Sequence, residues 1–388
     1  MTRMTFGRRA ALAAVLAATL VPAAPAQKAS AQDKTVKIGA IFAQTGPNAS
    51  IGSEALIGTQ YAIKKINEAG GVKVGGETYK FELVNIDDES KAERAVAAAE
   101  KLVADKTIPV ILTPPSSTTT LAVVPIAEKN GRIALSFVAS APSVTGPDHP
   151  LSFRTTLSAI MNVAPSIEFL IKDKGIKKIA YIGRNDDWGR AAGASIADTA
   201  KKLGADVVMT EYFESGSTDF YGLLTKARAA GPEAVVGAAF VEDGVSMIKQ
   251  YRELQLKQPF LSVAVIWASP VFLKAAGRDM EGVYISTGPT TSSNPELDAF
   301  RAAFKAETGS DALPFSITAV DNINLLAEAM KTAGSTDPQK IADALRKLNF
   351  KGLLQTYKFD GGTQSDVVIN INEVKDGKVG VISSLTTR

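Results

Sequence analysis

Along this sequence, apolar runs of strand length alternate with segments whose apolar residues recur at helical spacing. The run from Val36 to Phe42 is too continuously apolar to have a wet face, which is typical of a parallel strand covered on both sides. Between Ala92 and Val103, apolar residues recur every three or four positions, which predicts a helix with one buried stripe. Repetition of this pair predicts open parallel sheets flanked by helices, an α/β fold.

The rhythm restarts after residues 153–155, so the chain contains two α/β halves. Further strands are predicted at 81–86, 108–112, 132–138, 177–183, 205–213, 233–240 and 260–267. Further helices are predicted at about 53–68, after residue 120, and near 163–173, 190–203, 219–230 and 243–255. Removing residues 1–31 would leave about 357 residues, which exceeds what one core usually holds and favours two domains.

The N-terminal residues predict export. Arg3, Arg8 and Arg9 precede an uncharged stretch, and Ala29-Ser30-Ala31 offers a cleavage site, so residues 1–31 are interpreted as a signal peptide. No later stretch of eighteen apolar residues follows, and the chain has no cysteine. The absence of cysteine excludes disulfides, thiolate metal sites and a lipidated cysteine. The sequence therefore predicts an unlipidated periplasmic protein.

Charge gives little support to nucleic-acid binding. The chain has 43 Lys and Arg against 40 Asp and Glu, and residues 1–31 contain four of the bases and none of the acids. The remainder is nearly balanced and has no basic stripe. We therefore predict no nucleic-acid partner.

Catalytic equipment is sparse. The only histidine, His149, lies in a predicted loop, and the sequence contains no phosphate-binding loop, nucleophile elbow or zinc-protease motif. Asp87, Asp88 and Glu89 end a strand, and we interpret them as a solvated turn at the start of a helix rather than a cation site. The sequence thus predicts a protein that is not an enzyme and uses no metal or cofactor.

Five consecutive hydroxyl side chains, Ser116 to Thr120, follow the strand at 108–112. Ligands of open α/β sheets bind beyond the carboxyl ends of strands, where helix N-termini present unpaired amides. Hydroxyls and amides at such a point form a neutral cradle for a carboxylate. Helix capping with exposure to solvent is the alternative. Ser140, after the neighbouring strand, either faces the same cleft or is an ordinary turn serine before Pro142.

The chain resembles the hydrophobic amino acid family of periplasmic binding proteins, the leucine/isoleucine/valine-binding type that supplies ABC importers. The matching segments keep their order over nearly the whole chain after the signal peptide. They are VKIGAIFAQTGPNASIG (36–52), INEAGGV (66–72), DDES (87–90), PSSTTTLAVVPIAEKNG (115–131), FRTT (153–156), WGRA (188–191), TDFYGLLTKARAAGPEAVV (218–236) and EGVYIS (281–286).

The resemblance implies two Rossmann-like lobes, each a parallel sheet flanked by helices, joined by three hinge crossovers. The N-terminal lobe would comprise residues 32–156 and 289–358, and the C-terminal lobe residues 157–288 and 359–388. The crossovers would lie near Thr156, Gly288-Pro289 and Phe359-Asp360. The function implied is that of a monomeric carrier that closes on a small ligand and delivers it to ABC permease subunits in the membrane.

The resemblance also implies a set of ligand contacts. Ser117, with Thr118 beside it, would hold a carboxylate, and Ser140 would add its N–H and hydroxyl. Val138 would offer its carbonyl to an ammonium. The remaining predicted contacts line the wall or close over the ligand, and they are Ile51, Trp188 and Phe240.

One departure from the family pattern concerns the ligand's amine. Leucine-binding members place a glutamate where this chain has Ala264-Val265, and an unpaired ammonium in a closed cleft costs several kcal/mol. Either Glu242 or Asp243 replaces that glutamate, or the ligand is an amine-free acid or an amide; alternatively, both acids merely stabilise a helix N-terminus. A hydrophobic amino acid is the first ligand class considered. A sensor that signals through a separate receptor is a further alternative for the function.

Overall fold

The computed structural model describes residues 34–288 and 295–387. The predicted signal peptide and Pro289 lie outside the described residues. Over these residues the chain forms two main sheets, one of six and one of seven strands, and a separate two-stranded hairpin. Helices pack on the two main sheets, which have separate main cores. This confirms the predicted α/β class.

The first sheet has the order β2-β3-β1-β4-β5-β6. All neighbouring strands are parallel except β2 and β3, which form a hairpin. The strands are β1 Lys34–Ile41, β2 Val72–Val74, β3 Glu77–Ile86, β4 Val110–Leu112, β5 Ile133–Ser136 and β6 Ser152–Arg154. The central strands are buried because helices cover both faces of this sheet.

Six helices accompany the first sheet. They are α1 Ala49–Glu68, α2 Ala92–Ala104, α3 Ser117–Lys129 and, from the C-terminal part of the chain, α9 Pro295–Thr308, α10 Pro314–Ala333 and α11 Pro338–Leu345. The helices α1 and α10 cross closely, since a Cβ on Gly58 would come within 2.2 Å of the Ser316 carbonyl oxygen. Only glycine therefore permits this approach.

The second sheet has the order β15-β14-β11-β10-β9-β7-β8. Five strands are parallel, whereas β14 is antiparallel to β11 and β15 is antiparallel to β14. The strands are β7 Lys178–Arg184, β8 Asp206–Phe213, β9 Ala234–Ala238, β10 Phe260–Ser262, β11 Tyr284–Thr287, β14 Val367–Lys375 and β15 Lys378–Thr387. The helices are α4 Ala159–Glu168, α5 Asp187–Lys202, α6 Tyr221–Ala230, α7 Val241–Glu253 and α8 Pro270–Ala276.

The chain passes between the two sheets more than once. It leaves the first sheet after β6, and a small hairpin of β12 Asn349–Lys351 and β13 Thr356–Lys358 precedes its return to the second sheet at β14. Phe359 still packs edge-on against Phe153 of the first sheet, with ring centroids 5.5 Å apart. The last passage therefore follows Phe359.

The strand predicted at 260–267 is wrong in its second half. Strand β10 ends at Ser262, and Val265–Ala268 form a 3-10 turn. The Ser262 hydroxyl accepts a hydrogen bond from the Ala264 amide at 3.2 Å, and the Trp267 indole donates to the Ala239 carbonyl at 2.8 Å. These contacts turn the chain and bury Trp267, whereas apolarity alone indicated a longer strand.

The turn predicted at Asp87 to Glu89 is also not simply solvated. Asp87 accepts hydrogen bonds from the Gln44 amide and the Thr45 hydroxyl, so it holds the loop after β1. Asp88 is fully buried, and burial raises the pKa of its carboxyl to about 6. Helix α2 begins only at Ala92. These acids are thus structural parts of the turn between β3 and α2.

Candidate functional site

A cavity of about 60 Å³ lies where the carboxyl ends of strands from both sheets meet. The first sheet contributes the loops after β4, β5 and β6, and the second contributes those after β7, β9 and β10. This is the position at which open α/β sheets bind ligands. Five predicted contacts line it, namely Ser117, Val138, Ser140, Trp188 and Phe240.

The five hydroxyl side chains from Ser116 to Thr120 have different roles at the start of α3. Ser116 is the N-cap, and its hydroxyl accepts from the Thr119 amide at 3.5 Å. The hydroxyl of Thr119 donates to the Ser116 carbonyl, and that of Thr120 donates to the Pro114 carbonyl at 2.9 Å. Capping and local back-bonding thus account for three of the five hydroxyls.

Ser117 has a different role. It is 3% exposed and lines the cavity, and its Oγ accepts hydrogen bonds from the amides of Ser140 at 3.2 Å and Ala141 at 3.0 Å. Its own hydroxyl proton has no acceptor within residues 34–288 and 295–387. The hydroxyl of Ser117 is therefore oriented by two loop amides and can donate to a ligand.

Two backbone amides adjoin this hydroxyl along the chain, and the second belongs to Thr118, whose side chain does not line the cavity. The amides of Ser117 and Thr118 open helix α3, and neither has an acceptor in the described part of the chain. Helix N-termini favour anions because such amides and the helix dipole both present positive charge. The N–H of Ser140, which was predicted to contact the ligand, donates instead to Ser117 Oγ. The Ser140 hydroxyl is therefore the group of this residue that is left to contact a ligand.

Three predicted contacts do not line the cavity. The Thr118 hydroxyl accepts from the Asp187 amide of the other sheet's α5 at 3.4 Å. Ile51 is buried in the core cluster that belongs mainly to the second sheet, so it joins the two halves. Glu242 is exposed in the first turn of α7. The apolar periodicity of the sequence and the positions of the predicted loops could not show in which direction these three side chains point.

On the opposite wall, two aromatic rings lie face to face. Trp188 begins α5 and Phe240 directly precedes α7, and their ring centroids are 4.8 Å apart with planes 6° from parallel. Their position after the adjacent strands β7 and β9 explains the contact. The cavity thus has polar donors on one side and an aromatic surface on the other.

We expect ligand binding to change the fluorescence of Trp188, because this indole lines the cavity. The only other tryptophan, Trp267, is fully buried and serves as an internal reference. Titration of the native chain should therefore shift its emission, and a Trp188→Phe variant should show no shift at saturating ligand. A variant that keeps the full shift would place the ligand away from Trp188.

Arg184, which the sequence reasoning did not identify, underlies this aromatic surface. Its guanidinium carbon lies 4.4 Å from the Phe240 ring centroid, and its Nε lies 3.2 Å from Asp186 and 3.8 Å from Asp243. It also donates to Asn48 on the other sheet's side at 3.4 Å and to Ser215. The signal in the sequence was an arginine at the end of a buried strand, directly before Asn-Asp-Asp-Trp.

The acidic groups near the cavity already have partners. Asp186, which lines the cavity, accepts from the Gly189 amide at 2.8 Å and faces Arg184. Asp243 is buried beside Arg184; burial raises the pKa of its carboxyl, while the arginine's charge acts in the opposite direction. Glu54 accepts from the Phe315 amide at 3.3 Å, and burial raises its pKa to about 8.

Neither acid suggested as a substitute for the family glutamate lines the cavity. Ala264 and Val265, at the family position, do line it. Further lining residues missed from sequence include Thr156 and Leu157 after β6, and Asn162, whose amide donates to the Val263 carbonyl at 2.8 Å. Phe315 completes the apolar wall. The loop after β6 gave no compositional signal.

His149 contacts Glu128 at 3.1 Å and does not line the cavity. Residues 34–288 and 295–387 contain no group of three or more metal-ligating side chains. Over the same ranges, no helix has both the length and the apolarity needed to cross a bilayer.

Comparison with known proteins agrees with this architecture. The leucine-, isoleucine-, valine-, threonine-, and alanine-binding protein of Pseudomonas aeruginosa is 27% identical over 326 residues, which cover 84% of this chain and 86% of that protein. An amino acid binding protein of the same organism is 30% identical over 313 residues, covering 80% of this chain and 82% of the relative.

Solved structures show the same fold. A leucine-binding protein from Thermotoga maritima superposes with a TM-score of 0.79 at 25% identity, covering 90% of this chain and 98% of its own. A solute-binding protein of R. palustris in complex with 4-hydroxybenzoate gives a TM-score of 0.81 at 22% identity, covering 91% and 97%. At this identity, the second likeness concerns the fold alone.

The sequence model of the periplasmic binding protein family matches residues 35–370, nearly all of the part that the structure describes. This match and the curated relatives identify the chain independently of the cavity. The chain belongs to the periplasmic binding protein family, and Leu/Ile/Val-binding proteins are among its curated relatives.

Proposed function

We propose that this protein is the periplasmic solute-binding component of an ABC importer and that it binds a small hydrophobic carboxylic acid between its two lobes. Membership of the family supports the periplasmic location and the carrier role. The proposed lobes are residues 32–156 with 289–358, and residues 157–288 with 359–388. In this role the chain acts as a monomer, uses no cofactor and catalyses no reaction.

The oriented Ser117 hydroxyl beside two unpaired amides is the observation that carries this proposal. A carboxylate placed there accepts up to three hydrogen bonds from neutral donors. Among the described residues, no lysine or arginine side chain lines the cavity. Directed hydrogen-bond donors and the helix dipole thus recognise the anion, so no positively charged side chain has to be buried beside it.

An amine-free acid is the first candidate for the ligand. An ammonium buried with the carboxylate would need a carboxylate of its own, yet Asp186 is engaged by Arg184 and Gly189. Asp243 shares the same arginine, and Glu242 is exposed. Asp186 and Asp243 thus share one guanidinium, and neither carboxylate is left to pair with a ligand amine alone.

A hydrophobic amino acid is the second candidate. The curated relatives are named for amino acids, and Val138 lines the cavity where its carbonyl would face an ammonium. In this case Asp186 would have to serve both Arg184 and the ligand. The two ligand classes differ only in this amine, so matched pairs of ligands distinguish them.

Closure follows from contact with both walls. A ligand that touches Ser117 on one side and the Trp188–Phe240 pair on the other stabilises the closed form by its differential affinity for that form. Apolar burial contributes about 25 cal/mol per Å², while the donors select which end enters. We propose that the closed protein then docks on the membrane permease and releases the ligand there.

A thermal-shift screen of the exported protein tests this proposal. It pairs branched-chain amino acids with the amine-free acids of the same skeleton, together with their amides. A ligand at a hundred times its Kd stabilises the fold by about 2.7 kcal/mol, so binding is readily seen. We expect the acids to stabilise most and the amides least. Stabilisation by no acid, or turnover of any of these compounds, would contradict the proposal.

A further inference from the structure

A second cavity of about 60 Å³ lies behind the first, among the segments that connect the two sheets. At about 10 to 15 Å³ for each water, either cavity alone has room for about five waters, and both together for about ten. The first cavity alone therefore suits a compact ligand, and the two together would suit a ligand of about twice that size.

Four residues line both cavities and form the wall between them. They are Thr156, Leu157, Val265 and Phe315. Two of the four, Leu157 and Phe315, are large apolar side chains of the core. Beyond this wall the second cavity is mainly apolar, with Phe137, Pro314 and Leu354 among its lining.

One polar atom of the second cavity lacks a partner. The Oε1 of Gln355 is buried and accepts no hydrogen bond, although its Nε2 donates to the Thr155 carbonyl at 3.4 Å. Leaving such an acceptor unpaired is costly, and a ligand donor would satisfy it. Because this unpaired oxygen lies in a cavity large enough for part of a ligand, it indicates where a hydrogen-bond donor of the ligand would bind.

Three other polar side chains of this lining are already engaged, while Thr156 belongs to the wall shared with the first cavity. Thr155 donates to Asn322 at 2.8 Å, Thr318 donates to the Pro314 carbonyl at 2.9 Å, and Tyr357 donates to Asp321 at 2.9 Å. Within residues 34–288 and 295–387, no lysine, arginine, aspartate or glutamate lines the cavity. The second cavity thus suits an apolar group that ends in one neutral donor.

From these observations we infer that the two cavities form one elongated site. Its ligand class would be a carboxylic acid with an apolar body and a hydroxyl or similar neutral donor at the far end. The carboxylate lies on Ser117, the body passes between Leu157 and Phe315, and the distal donor reaches Gln355 Oε1. This inference rests on the proposed function, since it takes the carboxylate anchor as given.

The location also links ligand length to closure. The second cavity is lined by Thr155 to Leu157 after β6, by Gly288 after β11, and by Val367 at the start of β14. These positions belong to the segments through which the chain passes between the sheets. A long ligand would therefore contact the segments that rearrange on closing.

Calorimetry on three acids tests the inference. Isovalerate is the compact probe, phenylpropionate the elongated one, and para-hydroxyphenylpropionate the elongated probe with a distal donor. Thr318→Leu fills the second cavity, Leu354→Ala enlarges it, and Gln355→Met removes the acceptor at similar size. All three residues line the second cavity alone. Thermal unfolding of each variant checks the fold.

For the native chain we expect the hydroxylated acid to bind about 2- to 10-fold more tightly than phenylpropionate, because one neutral hydrogen bond contributes a gain in affinity of this size. Gln355→Met should abolish this preference. Thr318→Leu should weaken both long acids by about tenfold or more and leave isovalerate within about twofold. Leu354→Ala should leave the long acids at least as tightly bound as in the native chain.

Either of two results would overturn the inference. In the first, Thr318→Leu weakens the binding of all three acids equally. In the second, Gln355→Met keeps the full preference for the hydroxylated acid. If isovalerate binds the native chain and the long acids do not, the elongated site is wrong while the proposed function stands. If none of the acids binds, the proposed function fails as well.

Discussion

Replacing Arg184 with methionine is expected to lower the free energy of unfolding by about 3 to 5 kcal/mol. The side chain of Arg184 is 5% exposed and faces both Asp186 and Asp243. Methionine keeps the length of the side chain but leaves the two carboxylates without their shared counter-charge. It also removes the cation that lies over Phe240, so the aromatic wall loses its support. Urea unfolding of the ligand-free protein measures the effect.

Arg190 supplies the matched control for this change. It lies six residues further along, is exposed, and stacks on Tyr212 at 4.9 Å. Arg190→Met should cost less than about 1 kcal/mol, as is usual for an exposed charge. Adding Asp243→Asn to Arg184→Met should recover part of the loss, because it removes an uncompensated buried carboxylate. Equal costs for the two arginines would contradict the account of the charge cluster.

The second large effect is expected on binding. Ser117→Ala should weaken a carboxylate ligand by about 1.5 to 3 kcal/mol, the cost of a hydrogen bond to a charged group, or about 10- to 150-fold in Kd. The corresponding amide ligand should lose less, because that bond is not charge-assisted. Calorimetry with both members of one acid and amide pair measures the difference.

Thr118→Val is the control for this substitution. Its hydroxyl neighbours Ser117 in sequence but contacts Asp187 across the lobes at 3.4 Å, outside the cavity lining. Its removal should change ligand affinity by less than about fivefold. If both variants weaken binding equally, or if Ser117→Ala affects acid and amide alike, the assigned cradle is wrong.

The periodicity of the sequence predicted the fold well, because buried parallel strands and amphipathic helices carry their patterns locally. The antiparallel β2-β3 hairpin and the strands β14 and β15 were not predicted. The strand predicted at 260–267 was too long. Apolar composition reports burial but cannot tell a strand from a buried turn held by Trp267.

The site was predictable where it follows strand ends. Four residues of the site follow strands that end two to five residues earlier, and the ends of these strands meet in the cavity; the four are Ser117, Ser140, Trp188 and Phe240. Arg184 and the wall residues Leu157 and Phe315 depend on how separate halves of the chain pack. A contact between residues 100 or more positions apart leaves no local pattern, so sequence reasoning could not place it.

The direction of each side chain was the least predictable property. Five hydroxyls in a row look equivalent in the sequence, yet three serve the helix start, one faces the other lobe and Ser117 faces the cavity. Similarly, Glu242 and Asp243 are adjacent, but one is exposed and the other lies beside Arg184. The helix geometry decides these directions.

A crystal structure of the native protein with the acid that stabilises it most would show where the carboxylate binds. We expect the ligand carboxylate within hydrogen-bond distance of the Ser117 hydroxyl and of the amides of Ser117 and Thr118, with its apolar body toward Trp188 and Phe240. A carboxylate bound away from the start of α3, or a ligand that touches only one lobe, would contradict this expectation.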